Sequence, residues 1–293
     1  MITKEEFLNQ IKKDILPNLN SKGYFLSLLK TKNRLTKTLL LGFGVILIIS
    51  LLNPLNLNNY FIISLWILYC SIFYTFLKTI IKIKSFELSI LPTVLSYFDF
   101  LEIPHYINET ALKKSHLFSK TPNELSSIFK GKTKQSEFIM GEATTKSENI
   151  LLISVPYSNT ESQTIIYNCP EIFKSSVLGF EKIDTLFSHN WFDENVIFSK
   201  NKNLTTLLIT PDFITKQEQI KKLFLPALGT SKIDISIFDK QMLLAIYTEK
   251  TTLNLIPHIY HDINQAEKDI LIIFENLYDK IESIKQAVDI LTN

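Results

Sequence analysis

The sequence predicts a membrane α-helical hairpin of two spans, joined to a cytoplasmic α+β domain and a long C-terminal amphipathic helix. Three observations carry this. No charged residue occurs from Thr38 to Leu77. Short β-type runs with one helical stretch among them follow residue 108. An apolar repeat in three- and four-residue steps closes the chain.

The charge-free run is twice as long as one span needs, since about 20 apolar residues cross a bilayer. A single helix of that length would reach roughly 60 Å, far beyond a hydrocarbon core of about 30 Å. The chain therefore turns back, and Asn53-Pro54-Leu55-Asn56-Leu57-Asn58-Asn59 supplies a polar, proline-containing break. Span one is expected over Thr38 to Leu52 and span two over Tyr60 to Leu77. The run begins too late for a cleavable signal peptide. Lys30, Lys32, Arg34 and Lys37 precede span one, Lys78, Lys82 and Lys84 follow span two, and the turn is uncharged. Positive flanks stay inside, so a two-pass protein of the inner (plasma) membrane with both termini cytoplasmic is expected. The same seven side chains are candidate contacts for anionic lipid. The spans hold no ionisable residue of the kind a conduction path needs, so they read as an anchor. Gly42, Gly44, Ser50, Ser64 and Ser71 suit close helix packing.

Composition agrees. The mean hydropathy is +0.13 at 46% hydrophobic content, because apolar residues are concentrated. Lysines gather before the first span and acids in the last 32 residues, behind a net charge of +2. Arg34 is the sole arginine, and the abundance of Lys, Asn and Ile reflects AT-rich coding rather than nucleic-acid binding. Cys70 and Cys169 give no disulfide framework or cysteine metal site.

Taken in order, residues 1–34 form an N-terminal amphipathic helix and a basic juxtamembrane segment. Thr3-Lys4-Glu5-Glu6 is a capping box, and Phe7, Leu8, Ile11, Ile15 and Leu16 form an apolar stripe. That stripe suits either a bilayer surface or the cytoplasmic domain. The hairpin occupies 35–84. Residues 85–107 continue span two as a juxtamembrane helix through Phe86, Leu88, Leu91, Val94, Leu95, Phe98 and Leu101, with a kink at Pro92 and an end at Pro104. The α+β domain takes 108–255, with strands at Glu137 to Thr144, Ile150 to Val155, Gln163 to Tyr167, Val196 to Ser199, Lys232 to Phe238 and Met242 to Thr248. Pro211 to Leu225 is its helix. In 256–293, Ile263, Ala266, Ile270, Ile273, Leu277, Ile281, Ile284, Val288 and Leu291 form the stripe of a helix that packs on its own domain or self-associates.

Chemical motifs are sparse. Ser126 to Thr133 ends in Gly-Lys-Thr but carries Ser126 where a phosphate loop needs its first glycine, so no nucleotide is expected. His258, His261 and Asp262 lack the glutamate of a helical zinc motif, and Asp262 suits an N-cap. Ser115-His116 and Ser188-His189 are neighbours in sequence without a nucleophile-elbow turn. Trp191-Phe192-Asp193-Glu194 offers carboxylates but no demonstrable cleft. No catalytic, cofactor or metal residue is therefore assigned.

Several separated pieces together resemble one family: bacterial two-span inner-membrane proteins catalogued as a domain of unknown function. The pieces are Phe7 through Pro17, the span pair, Ser115-His116-Leu117-Phe118, Gly131 leading into Ser136-Glu137-Phe138 and Glu142, Val196-Ile197-Phe198-Ser199, and Leu208-Ile209-Thr210-Pro211-Asp212-Phe213. The chain departs from the family's pattern at Leu151 to Val155, where a glycine is usual, and before Gly131, where acids are usual. The resemblance implies a two-span protein with a cytoplasmic domain and transfers no activity. The expected partners are the lipid bilayer and a protein partner or second copy, with no cofactor and no nucleic acid. A membrane-tethered cytoplasmic module that binds a protein partner or a membrane surface is the leading expectation; a membrane-anchored enzyme of unrecognised type, with a pocket in the cytoplasmic domain, and a scaffold assembled through the terminal helix are the alternatives.

Overall fold

A computed structural model describes residues 2–17, 24–52, 59–103, 109–118, 125–144, 148–157, 163–168, 179–183, 189–249, 251–253, 255 and 263–293. The chain forms two compact units: Ile2–Thr93 with Leu255–Glu275, and Val94–Asn254 with Asn276–Asn293.

The first unit is helical. Helix α1 (Lys4–Gln10) starts at a complete capping box, in which Thr3 Oγ1 accepts from the Glu6 N–H and the Glu6 carboxylate accepts from the Thr3 N–H. A π-helical turn, Ile11–Ile15, follows. Phe7 and Ile11 are fully buried. The Phe7 ring meets Phe274 edge-on at 6.4 Å, and Lys4 pairs with Glu275 at 3.0 Å. Of the two settings open to this stripe, it therefore takes the protein interior. Helix α2 (Tyr24–Leu52) and helix α3 (Asn59–Ser96) are both long and apolar enough to cross a membrane. The break between them, at 53–58, lies outside the described residues.

The juxtamembrane helix expected over 85–107 is shorter. Helix α3 runs unbroken past Pro92 and stops at Ser96, eight residues before Pro104. Asp99 then adopts a left-handed conformation at φ 62°, and Leu101–Glu102 is already a strand. Phe98 and Phe100, on either side of this turn, are both buried.

The second unit is a nine-stranded sheet with helices, in which each adjacent pair of strands is antiparallel. Its elements are β1 (Leu101–Glu102), α4 (Glu109–Ser115), β2 (Leu125–Lys132), β3 (Glu137–Thr144), β4 (Asn149–Pro156), β5 (Thr164–Tyr167), β6 (Glu181–Ile183), α5 (Trp191–Glu194), β7 (Val196–Ser199), α6 (Lys202–Leu208), α7 (Pro211–Leu228), β8 (Ile233–Phe238) and β9 (Gln241–Thr248). The last helix, α8 (Ile263–Thr292), contributes to both units. The strand order is β1-β2-β3-β4-β9-β8-β5-β7-β6. A meander fills one half, and the β8-β9 hairpin is inserted beside β4 before β5 is reached.

The central strands are buried on both faces. All six residues of β8 are buried, and only the two faces of a covered sheet permit that pattern without alternation. Asp239 and Lys240 close the β8-β9 turn with positive φ (46° and 60°), and Phe238 pairs with Gln241. Such a two-residue turn matches the right-handed strand twist. Helix α7 begins with Thr210 capping the Phe213 N–H and ends at Gly229 in the left-handed region. A cluster including Leu152, Ile165, Tyr167, Phe198, Leu243 and Ala245 forms the core.

The former phosphate-loop candidate is strand β2. Gly131 sits where a Cβ would come within 2.5 Å of Phe100 Cε1 and 2.7 Å of Phe138 Cζ. This glycine makes room for two aromatic rings that meet edge-on at 5.5 Å.

Candidate functional site

Two regions concentrate unusual side-chain chemistry, and the first is the α2-α3 pair. Phe43 packs on Trp66 and Tyr69 at 6.4 and 6.0 Å, and the Trp66 indole donates to Ser50 Oγ at 3.3 Å. Gly42 stands opposite Tyr69, where a Cβ would lie 3.8 Å from the ring. These contacts fix an antiparallel register. Around them the pair is clad in exposed apolar residues, with Leu40, Leu41, Leu51, Ile67 and Tyr74 each at least 65% exposed. Ordinary soluble surfaces expose apolar residues singly rather than as a continuous sheath. Hydroxyls on these helices return to the backbone: Thr38 to Arg34, Ser64 to Tyr60 and Thr75 to Ser71. That removes the cost of an unmatched donor in an apolar setting.

The seven basic residues singled out from the sequence lie on this pair, Lys30, Lys32, Arg34 and Lys37 on α2 and Lys78, Lys82 and Lys84 on α3. The register brings both groups to one end. Arg34 precedes Phe43 by nine residues and Lys78 follows Tyr69 by nine. Each thus lies about 13 Å along the pair from the same ring contact. All are exposed except Lys32, which is half-buried.

The second region is the polar interior of the sheet unit. Asp234, 2% exposed, accepts from the Asn168 N–H and the Tyr247 hydroxyl, both at 2.8 Å. Lys232 lies 4.1 Å from the centre of the Tyr247 ring and pairs with Glu148 at 3.3 Å. Burial raises the Asp234 carboxyl above its ordinary range, while the Asn168 and Tyr247 bonds pull the other way. Tyr167, which donates to the His116 carbonyl at 2.6 Å, is pushed up to about 12 by burial and by Asp234.

Glu142 is buried on β3 and receives the backbone N–H groups of Thr252 and Leu253. Its carboxyl is also raised, chiefly by burial. Lys280 on α8 donates to the Thr252 carbonyl at 3.1 Å, so this carboxylate and this ammonium hold one short segment. Lys285, 3% exposed, donates to the Phe98 carbonyl at 2.9 Å, and burial lowers its pKa against the pull of Glu282, Asp99 and Asp289. Sequence reading gave none of these residues a role, and named Glu142 only among the pieces of the family resemblance. The available signal was a lone charge inside an apolar strand, as in Ile233-Asp234-Ile235.

The remaining motifs serve local structure. The Ser115 hydroxyl donates to the Leu112 carbonyl and accepts from the Leu117 N–H. His116, at φ 54°, stacks its ring edge against Phe180, and burial followed by Lys200 lowers its pKa. His189 Nδ1 accepts the Trp191 N–H at the start of α5. Glu194 pairs with Lys221 at 3.1 Å. His258, His261, Asp262, Ser188 and Cys169 lie outside the described residues. Among the described residues no three His, Cys, Asp or Glu side chains converge on a metal position. A groove of about 400 Å³ is walled by Leu204, Leu207, Leu208, Phe213, Met242 and Leu291, with Tyr157, Asp212 and Lys216 at its polar side.

These features describe a sheet-and-helix protein carrying two membrane-length apolar helices. No family model and no curated protein matches the chain. Among solved structures, the crystal structure of the mycobacterial trehalose monomycolate transport factor A, TtfA, aligns over 70% of this chain and 96% of its own. The TM-score is 0.38 at 10% identity, too loose to define a shared fold or function.

Proposed function

We propose that α2 and α3 span the inner membrane as a tether with both chain ends on the cytoplasmic side, and that the sheet unit works by binding a protein partner rather than by catalysis. The observation that carries this is the pairing of an exposed apolar sheath with basic residues confined to one end. Burial of that sheath in hydrocarbon is favourable by about 25 cal/mol per Å². Placement of all seven positive charges on one side matches the sidedness of cytoplasmic flanks. Support for binding over catalysis comes from the buried charges, since Asp234, Glu142 and Lys285 are each engaged by backbone groups of the sheet unit, with the Tyr247 hydroxyl also on Asp234. The stripe of α8 is buried within the chain, with Ile281, Ile284 and Val288 fully enclosed, so assembly through that stripe has less to recommend it. The same reading groups the chain with the bacterial two-span proteins that its motifs resemble.

The test is cysteine labelling in intact cells, in a Cys70→Ser, Cys169→Ser background. Asn56→Cys should react with a membrane-impermeant maleimide added outside, and Thr292→Cys should react only after lysis. Labelling of Thr292→Cys in intact cells, or release of the whole protein by alkaline carbonate, would overturn the tether. The binding role is tested by in-cell photocrosslinking from exposed sheet-unit positions such as Leu207. A discrete, reproducible adduct is expected, and its absence at every position tried removes this part of the proposal.

A further inference from the structure

We infer that the basic end of the α2-α3 pair is a binding surface for anionic phospholipid headgroups; this rests on the membrane tether proposed above and names its lipid partner. The register fixed by Phe43, Trp66 and Tyr69 sets Arg34 and Lys78 at one height, and continues to Lys30 and Lys82, four residues further along each helix. Two separate stretches of sequence therefore contribute to one cationic end. No Asp or Glu occurs in α2 at all, and none in α3 before Glu87.

The residue types fit a headgroup. Six of the seven are lysines, whose long apolar stems lie along the hydrocarbon boundary while the ammonium reaches the headgroup layer. Arg34 adds a planar fork that holds a phosphate through two hydrogen bonds. Polybasic segments beside a span are attracted to anionic leaflets and fall off within a Debye length, so position next to the apolar boundary is decisive. Lys37 and Lys78 flank the uncharged run directly, which meets that requirement. The opposite end of the pair, from Ile48 to Leu52 and from Asn59 to Leu65, has no charge and offers no equivalent surface.

The experiment uses the full chain in neutral detergent, titrated with phosphatidylglycerol or phosphatidylcholine of matched acyl chains, with bound lipid counted by native mass spectrometry. Three forms are compared: wild type, the α2 set (Lys30→Gln, Lys32→Gln, Arg34→Gln, Lys37→Gln) and the α3 set (Lys78→Gln, Lys82→Gln, Lys84→Gln). Wild type should bind phosphatidylglycerol in preference. Each set should lower that binding by about fivefold or more while leaving phosphatidylcholine unchanged, since one basic side chain near a charged surface contributes roughly that factor. Equal binding of the two lipids by wild type, or a loss in only one of the two sets, would overturn the shared surface. Carbonate extraction from pure phosphatidylcholine vesicles separates this from failure of the tether. A chain that stays embedded yet shows no lipid preference refutes the headgroup surface alone, and a chain that is extracted refutes the tether itself.

Discussion

Tyr247 on β9 donates its phenol hydrogen to the buried carboxylate of Asp234 on β8, at 2.8 Å, in the middle of the nine-stranded sheet. The bond spans the hairpin diagonally, because Asp234 is level with Ala245. It gives Oδ2 of this carboxylate a donor, while the Asn168 N–H bonds Oδ1.

Tyr247→Phe removes that donor and keeps the ring beneath Lys232. The expected cost is about 1.5–3 kcal/mol, the range for a hydrogen bond to a charged group. Equilibrium urea unfolding measures it, and a change within error would mean that Asp234 finds another donor.

Glu142 gives a pH signature. Burial raises its folded-state pKa above the ordinary carboxylate value, so the folded chain holds this proton more tightly than the unfolded chain. The carboxyl therefore costs stability as pH rises from the unfolded value through the folded one, and the cost is constant above that. Glu142→Gln keeps an acceptor for the Thr252 and Leu253 N–H groups and does not ionise. The stability of the variant relative to wild type should rise with pH across that window, and a difference that falls with pH would contradict the assignment.

Gly131→Ala places a methyl group against Phe100 and Phe138. Overpacking of this kind costs about 1–3 kcal/mol, read as a fall in melting temperature. Combining it with Phe138→Leu should cost less than the sum of the two single changes, because the smaller side chain yields the space.

Ile284→Ala tests what α8 does. The side chain is fully buried within one chain, so truncation should cost about 2–5 kcal/mol in thermal or urea unfolding. The oligomeric mass in detergent should stay unchanged. A variant that keeps its stability and loses oligomer mass would place Ile284 at an interface between copies.

Much of the sheet unit was legible from local pattern. Expected strands Glu137–Thr144 and Val196–Ser199 match the fold to the residue, and the helix beginning at Pro211 extends only three residues past its expected end at Leu225. Strand β2 was not legible. Ser126, Ser127, Lys130 and Lys132 interrupt its apolar pattern, and the register shifts between Ser126 and Ile128. Strand β1 has two residues, too few to show a period. The early end of α3 was hidden because Phe98 and Leu101 sit at helical spacing, whereas in the fold the chain turns at Asp99 and both Phe98 and Phe100 are buried. Of the candidate surface, the seven basic residues and their common side were readable from the expected hairpin, whereas the matching of Arg34 with Lys78 in height required the ring contacts of Phe43.

The sequence by itself determined the charge-free run, its basic flanks and the type of most elements, because hydropathy and residue period act over a few neighbouring positions. The order of the strands, the burial of Asp234, Glu142 and Lys285, and the role of Gly131 were decided by tertiary structure. Each depends on residues far apart in the chain: Lys285 reaches back to the Phe98 carbonyl, and Glu142 reaches forward to Thr252 and Leu253. A period shows which face of a strand is buried, but the identity of the atoms that bury it is set only when distant segments pack together.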